Sequence, residues 1–71
     1  MNIERIRNLR EDNDLTQTEL AHRLNISQRT YSHYESGSRK IPLDILIELA
    51  DYYNCSVDYL LGRTNKKEVN L

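Results

Sequence analysis

Three residues, Asn25, Ile26 and Ser27, separate two stretches that each carry helix signals, and so short a link forces the two helices to cross sharply at close range. The first stretch opens on Thr16 with Glu19 three residues later, a capping box in which each side chain satisfies the other residue's unpaired backbone N–H. Leu20, Ala21 and Leu24 form its inner face, and Asn25 falls where a left-handed residue ends a helix, Asn being the next choice after Gly. The second stretch begins behind Ser27, a natural N-cap, carries Tyr31 and Tyr34 three apart on one side, and ends at Gly37. Ala21 is assigned to the crossing itself, where a small side chain lets the backbones approach.

The remaining elements fit around that pair. Ile3, Ile6 and Leu9 recur at roughly helical spacing and predict an amphipathic first helix ending near Asn13. Pro42 suits the first turn of a fourth helix, where its missing N–H costs nothing, and Leu43, Leu46, Ile47, Ala50 and Tyr53 are expected to line that helix's inner face. Ser56 caps a short fifth helix over Val57 to Leu61, and Gly62 terminates it. No stretch alternates with the period of a strand. With 71 residues, 38% of them apolar, and two Gly and one Pro, the chain predicts one compact all-α domain of five short helices. The domain is placed at residues 1–62, followed by a polar tail at 63–71 that is expected to fray.

If Leu20, Leu24, Ile26, Tyr31 and Tyr34 are buried, then Gln28, Arg29, Ser32 and His33 are left on the opposite face of the third helix. All four can hydrogen-bond and none is acidic. Such a face fits the major groove of B-DNA, where Gln pairs twice with adenine and Arg with guanine. Gln17 at the start of the second helix, and Ser36, Ser38, Arg39 and Lys40 after the third, bracket it with the short polar and cationic groups that hold phosphates.

The net charge of −1 runs against a polyanion ligand at face value. Its distribution does not. Residues 22–40 carry Arg23, Arg29, Arg39 and Lys40 against Glu35, whereas 41–61 carry Asp44, Glu48, Asp51 and Asp58 without a Lys or Arg, which predicts a basic side and an acidic side. Lys66 and Lys67 read as solvated tail charges. One cysteine, Cys55, precludes an internal disulfide, and the charged start MNIERIRNLR is neither a signal peptide nor a membrane anchor, so a cytoplasmic location is expected. His22 and His33 lack the Cys or acidic partners of a zinc site. Ser32 and His33 are neighbours on a helix and diverge, so they make no catalytic pair. Neither an enzyme nor a metal or other cofactor is expected.

The run LTQTELAHRLNISQRTYSHYESG resembles the helix-turn-helix of the Cro/phage-repressor (XRE-type) family, and SVDYLLG near the end is similar to that family's fifth helix. The resemblance implies the five-helix lambda-repressor-like fold, with the second and third helices as the helix-turn-helix. It implies phosphate contact by Gln17, base contact by Gln28, Arg29 and His33 with Ser32 as a fourth, and a structural ion pair between Arg10 and Glu35. The function expected is a sequence-specific, double-stranded-DNA-binding transcriptional repressor, a homodimer on a palindromic operator with Val57 and Tyr59 at the dimer contact. The alternative is an antitoxin-like protein-interaction module using Asp44, Glu48 and Asp51. Two positions depart from the family's habit: Asn25 stands where Gly is usual, and Tyr31 is larger than the usual aliphatic residue, its ring expected in the core and its hydroxyl at the edge.

Overall fold

A computed structural model describes residues 3–66, with Ile3 described by its backbone alone. The side chain of Ile3, expected in the first apolar stripe, and all of Lys67 therefore lie outside the described residues. Among the described residues five helices follow one another: α1 (Ile3–Asp12), α2 (Gln17–Arg23), α3 (Gln28–Ser36), α4 (Leu43–Tyr53) and α5 (Val57–Leu60). The fold is all-α. α1 packs on α3 and α5, α2 on α3, and α4 on α5.

Local chemistry explains where each helix starts and stops. Thr16 and Glu19 close the capping box in both directions, the Glu19 N–H donating to Thr16 Oγ1 at 3.1 Å and the Thr16 N–H to Glu19 Oε1 at 3.0 Å. The second of these bonds, and then the Thr16 hydroxyl, hold the Glu19 carboxyl below its ordinary pKa. Ser27 and Ser56 cap α3 and α5 through their hydroxyls. Asn25 has φ 62°, and the chain folds back so that the Ile26 N–H reaches the Ala21 carbonyl at 3.0 Å and the Asn25 N–H the His22 carbonyl at 3.1 Å. Asp14 and Asn54 turn the chain in the same left-handed way after α1 and α4.

One core gathers the inner faces: Ile6 and Leu9 from α1, Leu20, Ala21 and Leu24 from α2, Tyr31 and Tyr34 from α3, and Leu60 from α5. Cys55 is buried in the turn between α4 and α5. From α4 come Ile45, Leu46, Leu49, Ala50 and Tyr53. That overturns the stripe read from sequence, because Leu43 is 68% and Ile47 46% exposed. The reason is phase. Leu46, Ala50 and Tyr53 belong to either of two overlapping stripes, and the one that includes Ile45 and Leu49 points directly away from Asp44, Glu48 and Asp51, which stay in water. Pro42 is likewise one residue outside the helix, as its N-cap.

One further expectation changes. Tyr31 is fully buried, and its hydroxyl is sealed inside rather than at the edge; neither it nor the buried hydroxyl of Tyr53 completes a hydrogen bond. Burial pushes both phenols well above their ordinary pKa. The start of the tail is also held. Arg5 Nη1 donates to the carbonyls of Tyr59 at 3.1 Å and Thr64 at 2.8 Å, and Nη2 to Asn65 Oδ1 at 3.4 Å, while the guanidinium lies 4.3 Å from the centre of the Tyr59 ring. A side chain 59 positions away supplies the bond to Thr64, so the local polarity of the tail gives no sign of it.

Candidate nucleic-acid interface

The outer face of α3 follows from which of its residues are buried. With Tyr31, Tyr34 and Glu35 turned inward, Gln28 and Arg29 are exposed and Ser32 and His33 half-buried on the other side. After Ser36, the exposed last residue of α3, Gly37 at φ 84° reverses the chain into a loop where Ser38, Arg39 and Lys40 are all exposed. Ser36 helps to build that loop: its hydroxyl donates to the His33 carbonyl at 3.2 Å and lies 2.9 Å from the Ser38 hydroxyl. The Arg39 N–H also returns to the His33 carbonyl, at 3.2 Å.

Behind this face a polar chain joins three helices. Arg10 grips Glu35 with two parallel bonds, Nε to Oε2 at 2.9 Å and Nη2 to Oε1 at 2.8 Å, and its Nη1 donates to the Leu15 carbonyl at 2.8 Å. Gln17 Nε2 donates to Glu35 Oε1 at 3.2 Å, and Gln28 Nε2 donates to Gln17 Oε1 at 2.8 Å. The bonds therefore run from α1 to the end of α3, across to the start of α2, and back to the start of α3. Burial alone raises the Glu35 carboxyl, but the Arg10 hydrogen bonds, with the Tyr31 phenol beside it and Gln17, outweigh that and hold its pKa below the ordinary value. The hydrogen bond to Glu35 raises the pKa of Arg10 in turn.

This chain fixes what the amides can still do. Gln28 has committed one amide hydrogen, which leaves its carbonyl oxygen and second amide hydrogen for a two-point contact with a base edge. Gln17 has committed its carbonyl and one hydrogen, and one hydrogen remains to donate to an anion. The Gln17–Gln28 bond has no local signature, since the two residues are 11 apart and meet only because the turn at Asn25 folds α3 back onto α2.

Other residues fall differently from the sequence reading. Arg23, counted with the basic side, lies 5.4 Å from the centre of the Tyr52 ring and shares a surface cleft with Glu48 and Asp51, so it belongs to the acidic side. Val57 and Tyr59 are half-buried against the core, with Arg5 over the Tyr59 ring. No helix among the described residues is long and apolar enough to cross a membrane.

Two short helices locked at a tight turn, with the second presenting a hydrogen-bonding, acid-free face, define a helix-turn-helix protein. The helix-turn-helix family model matches residues 6–60, and the chain belongs to that family. It is similar to the uncharacterised HTH-type transcriptional regulator YobD of Bacillus subtilis, 45% identical over 65 residues, which is 92% of this chain and 58% of YobD. The HTH-type transcriptional regulator AnsR of the same organism is 38% identical over 68 residues, 96% of this chain and 59% of AnsR. The cryptic phage CTXphi transcriptional repressor RstR of Vibrio cholerae is 37% identical over 60 residues, 84% of this chain and 54% of RstR. The chain thus spans little more than half the length of these relatives. No solved structure matches it.

Proposed function

We propose that this chain binds double-stranded DNA sequence-specifically and regulates transcription as a repressor, with α3 in the major groove. The observation that carries the reading is the outer face of α3: Gln28 is exposed, braced by Gln17, and free to make a two-point base contact, with Arg29 beside it. Gln28, Arg29, Ser32 and His33 contact bases, and Gln17, Ser36, Ser38, Arg39 and Lys40 contact phosphates. The names of the similar regulators and repressors support the same reading. The protein acts by binding rather than catalysis, in the cytoplasm, as a homodimer on a palindromic operator whose half-sites are about 10 base pairs apart. Val57 and Tyr59 are its proposed dimer contact.

Selection of bound sites from random duplexes returns half-site, spacing and symmetry together. On the selected site Arg29→Ala or Gln28→Ala is expected to lose about 1 to 3 kcal/mol at one base position, while Lys40→Ala weakens all sequences alike. Unchanged affinity and base preference in Arg29→Ala would refute the reading face. A second reading, an antitoxin-like protein-interaction module, draws on the exposed Leu43 and Ile47 beside Asp44, Glu48 and Asp51. It is favoured if no duplex binds even at low salt, where counterion release drives any DNA contact.

A further inference from the structure

Among the described residues the large apolar side chains left exposed are Leu43, Ile47 and Tyr52, and all of them lie on the outer face of α4. Scattered singly, such residues mean little; gathered on one face and rimmed by polar groups, they mark a contact surface. We infer that this face docks a basic amphipathic helix of a partner protein. The inference rests on the protein-interaction reading, gives its partner a defined chemistry, and leaves the α3 face free for DNA.

The face is built as two rows. Leu43, Ile47 and Asp51 form one row at the spacing of a helical turn, and Asp44, Glu48 and Tyr52 form the row beside it, all exposed along about 14 Å of helix axis. Ile45, Leu46, Leu49 and Ala50 anchor the opposite side of α4 in the core, so the rows cannot turn inward. Rows at this spacing are the ridges between which a second helix packs. The apolar pair Leu43 and Ile47, flanked by carboxylates, complements a helix whose apolar stripe is bordered by Lys or Arg.

Charge decides the occupant. Where α4 meets the end of α2, Arg23, Leu24, Glu48, Asp51 and Tyr52 line a cleft of about 340 Å³ that continues the face. Of the residues that form face and cleft, Asp44, Glu48 and Asp51 are acidic and Arg23 alone is basic. A second copy joined through the same face sets like charges opposite each other, and a nucleic acid or an anionic lipid surface is repelled. A cationic partner is attracted. The Arg23 guanidinium already lies 5.4 Å from the centre of the Tyr52 ring, so the ring is open to a planar cation. An arginine of the partner that enters the cleft meets the Glu48 and Asp51 carboxylates and the Tyr52 ring together.

The test uses the whole isotope-labelled chain and two synthetic helical peptides. One carries Leu at i, i+4 spacing flanked by Lys and Arg; in the other every Lys and Arg is replaced by Glu. Binding is followed through amide chemical shifts at about 0.15 M salt, where attraction between distant exposed charges is screened. The basic peptide is expected to move the amides of α4, Arg23 and Leu24, to leave those of Gln28 and Arg29 in place, and to outcompete the acidic one. Ile47→Ala keeps every charge and should weaken the basic peptide about five- to tenfold. The double variant Glu48→Lys with Asp51→Lys should lose the basic peptide and gain the acidic one. These positions are exposed, and thermal unfolding checks that each variant is folded. Undiminished binding by Ile47→Ala, or shifts spread evenly over the surface, would reduce the contact to bulk charge and overturn the inference. Preference of the native face for the acidic peptide, or a dimer in sedimentation that Ile47→Ala abolishes, overturns the basic partner and leaves the protein-interaction reading standing. No response at α4 to either peptide and no dimer removes both.

Discussion

α3 and α4 are helices of similar length, 9 and 11 residues, and each leaves one side in water, yet their outer faces are built on opposite terms. On α3 the inward side chains are Tyr31, Tyr34 and Glu35, and the exposed Gln28 is tied through Gln17 and Glu35 to α1. On α4 the inward side is mostly aliphatic, and Leu43 and Ile47 project outward beside an acidic row. The difference teaches where a small domain places its polar groups. α3 uses buried hydrogen-bonding capacity to fix the direction of its exposed polar face, whereas α4 anchors by packing and keeps its charges in solvent.

The comparison breaks first at Arg10. Arg10→Ala leaves the Glu35 carboxylate, whose side chain is 5% exposed, without its partner, and is expected to destabilise the fold by about 3 kcal/mol in urea unfolding. The pH profile separates this effect from lost packing. In the native chain the Glu35 pKa is held below 4.5, so its contribution is fully present above that value and is lost as the pH falls through the folded pKa. In Arg10→Ala burial dominates and the folded pKa rises above the unfolded one, so the penalty grows with rising pH and fades below about 4.5, where the carboxyl is neutral in both states. The stability difference between the two proteins should therefore shrink on acidification. A difference constant from pH 7 to 4 would mean that Arg10 acts through packing alone.

α4 gives the complementary result. Leu49→Ala removes a side chain that is 1% exposed and is expected to cost about 3 kcal/mol, whereas Ile47→Ala, with Ile47 46% exposed, should cost about 0.5 kcal/mol or less. Equal losses in thermal unfolding would restore the phase first read from the sequence.

That phase error marks the limit of what the sequence discloses. α3 was legible because its apolar residues are few and single-phased: Tyr31 and Tyr34 face one way, and polar residues fill the rest. Leu43, Ile45, Leu46, Ile47 and Leu49 leave the aliphatic pattern of α4 degenerate, and the usable signal was the phase of Asp44, Glu48 and Asp51. The ends of α2 and α3 were legible because Thr16, Ser27, Asn25 and Gly37 act within a few residues of themselves. Contacts that join distant segments were not. The Gln17–Gln28 bond and the Arg5 clamp on Tyr59, Thr64 and Asn65 exist only once the helices are placed. Arg23 failed for the same reason: its neighbours in sequence are basic or neutral, and its neighbours in space are Glu48, Asp51 and Tyr52.

The last predicted effect contrasts two asparagines. Asn25 and Asn54 adopt nearly the same left-handed backbone, φ 62° and 54°, at the ends of α2 and α4. Ala lacks the polar side chain that makes this region accessible to Asn, so Asn25→Ala and Asn54→Ala should each lose about 1 kcal/mol of stability, and Gly at either site should recover it. Their effects on DNA should diverge. Asn25 sets the angle at which α3 leaves α2 and so the meeting of Gln28 with Gln17, while Asn54 joins α4 to α5, away from that face. Asn25→Ala is therefore expected to weaken binding to the selected duplex beyond its thermal cost, and Asn54→Ala to leave binding unchanged at temperatures where both remain folded. Equal binding by the two variants would show that the direction of α3 is set by the Arg10–Glu35–Gln17 chain and not by the turn.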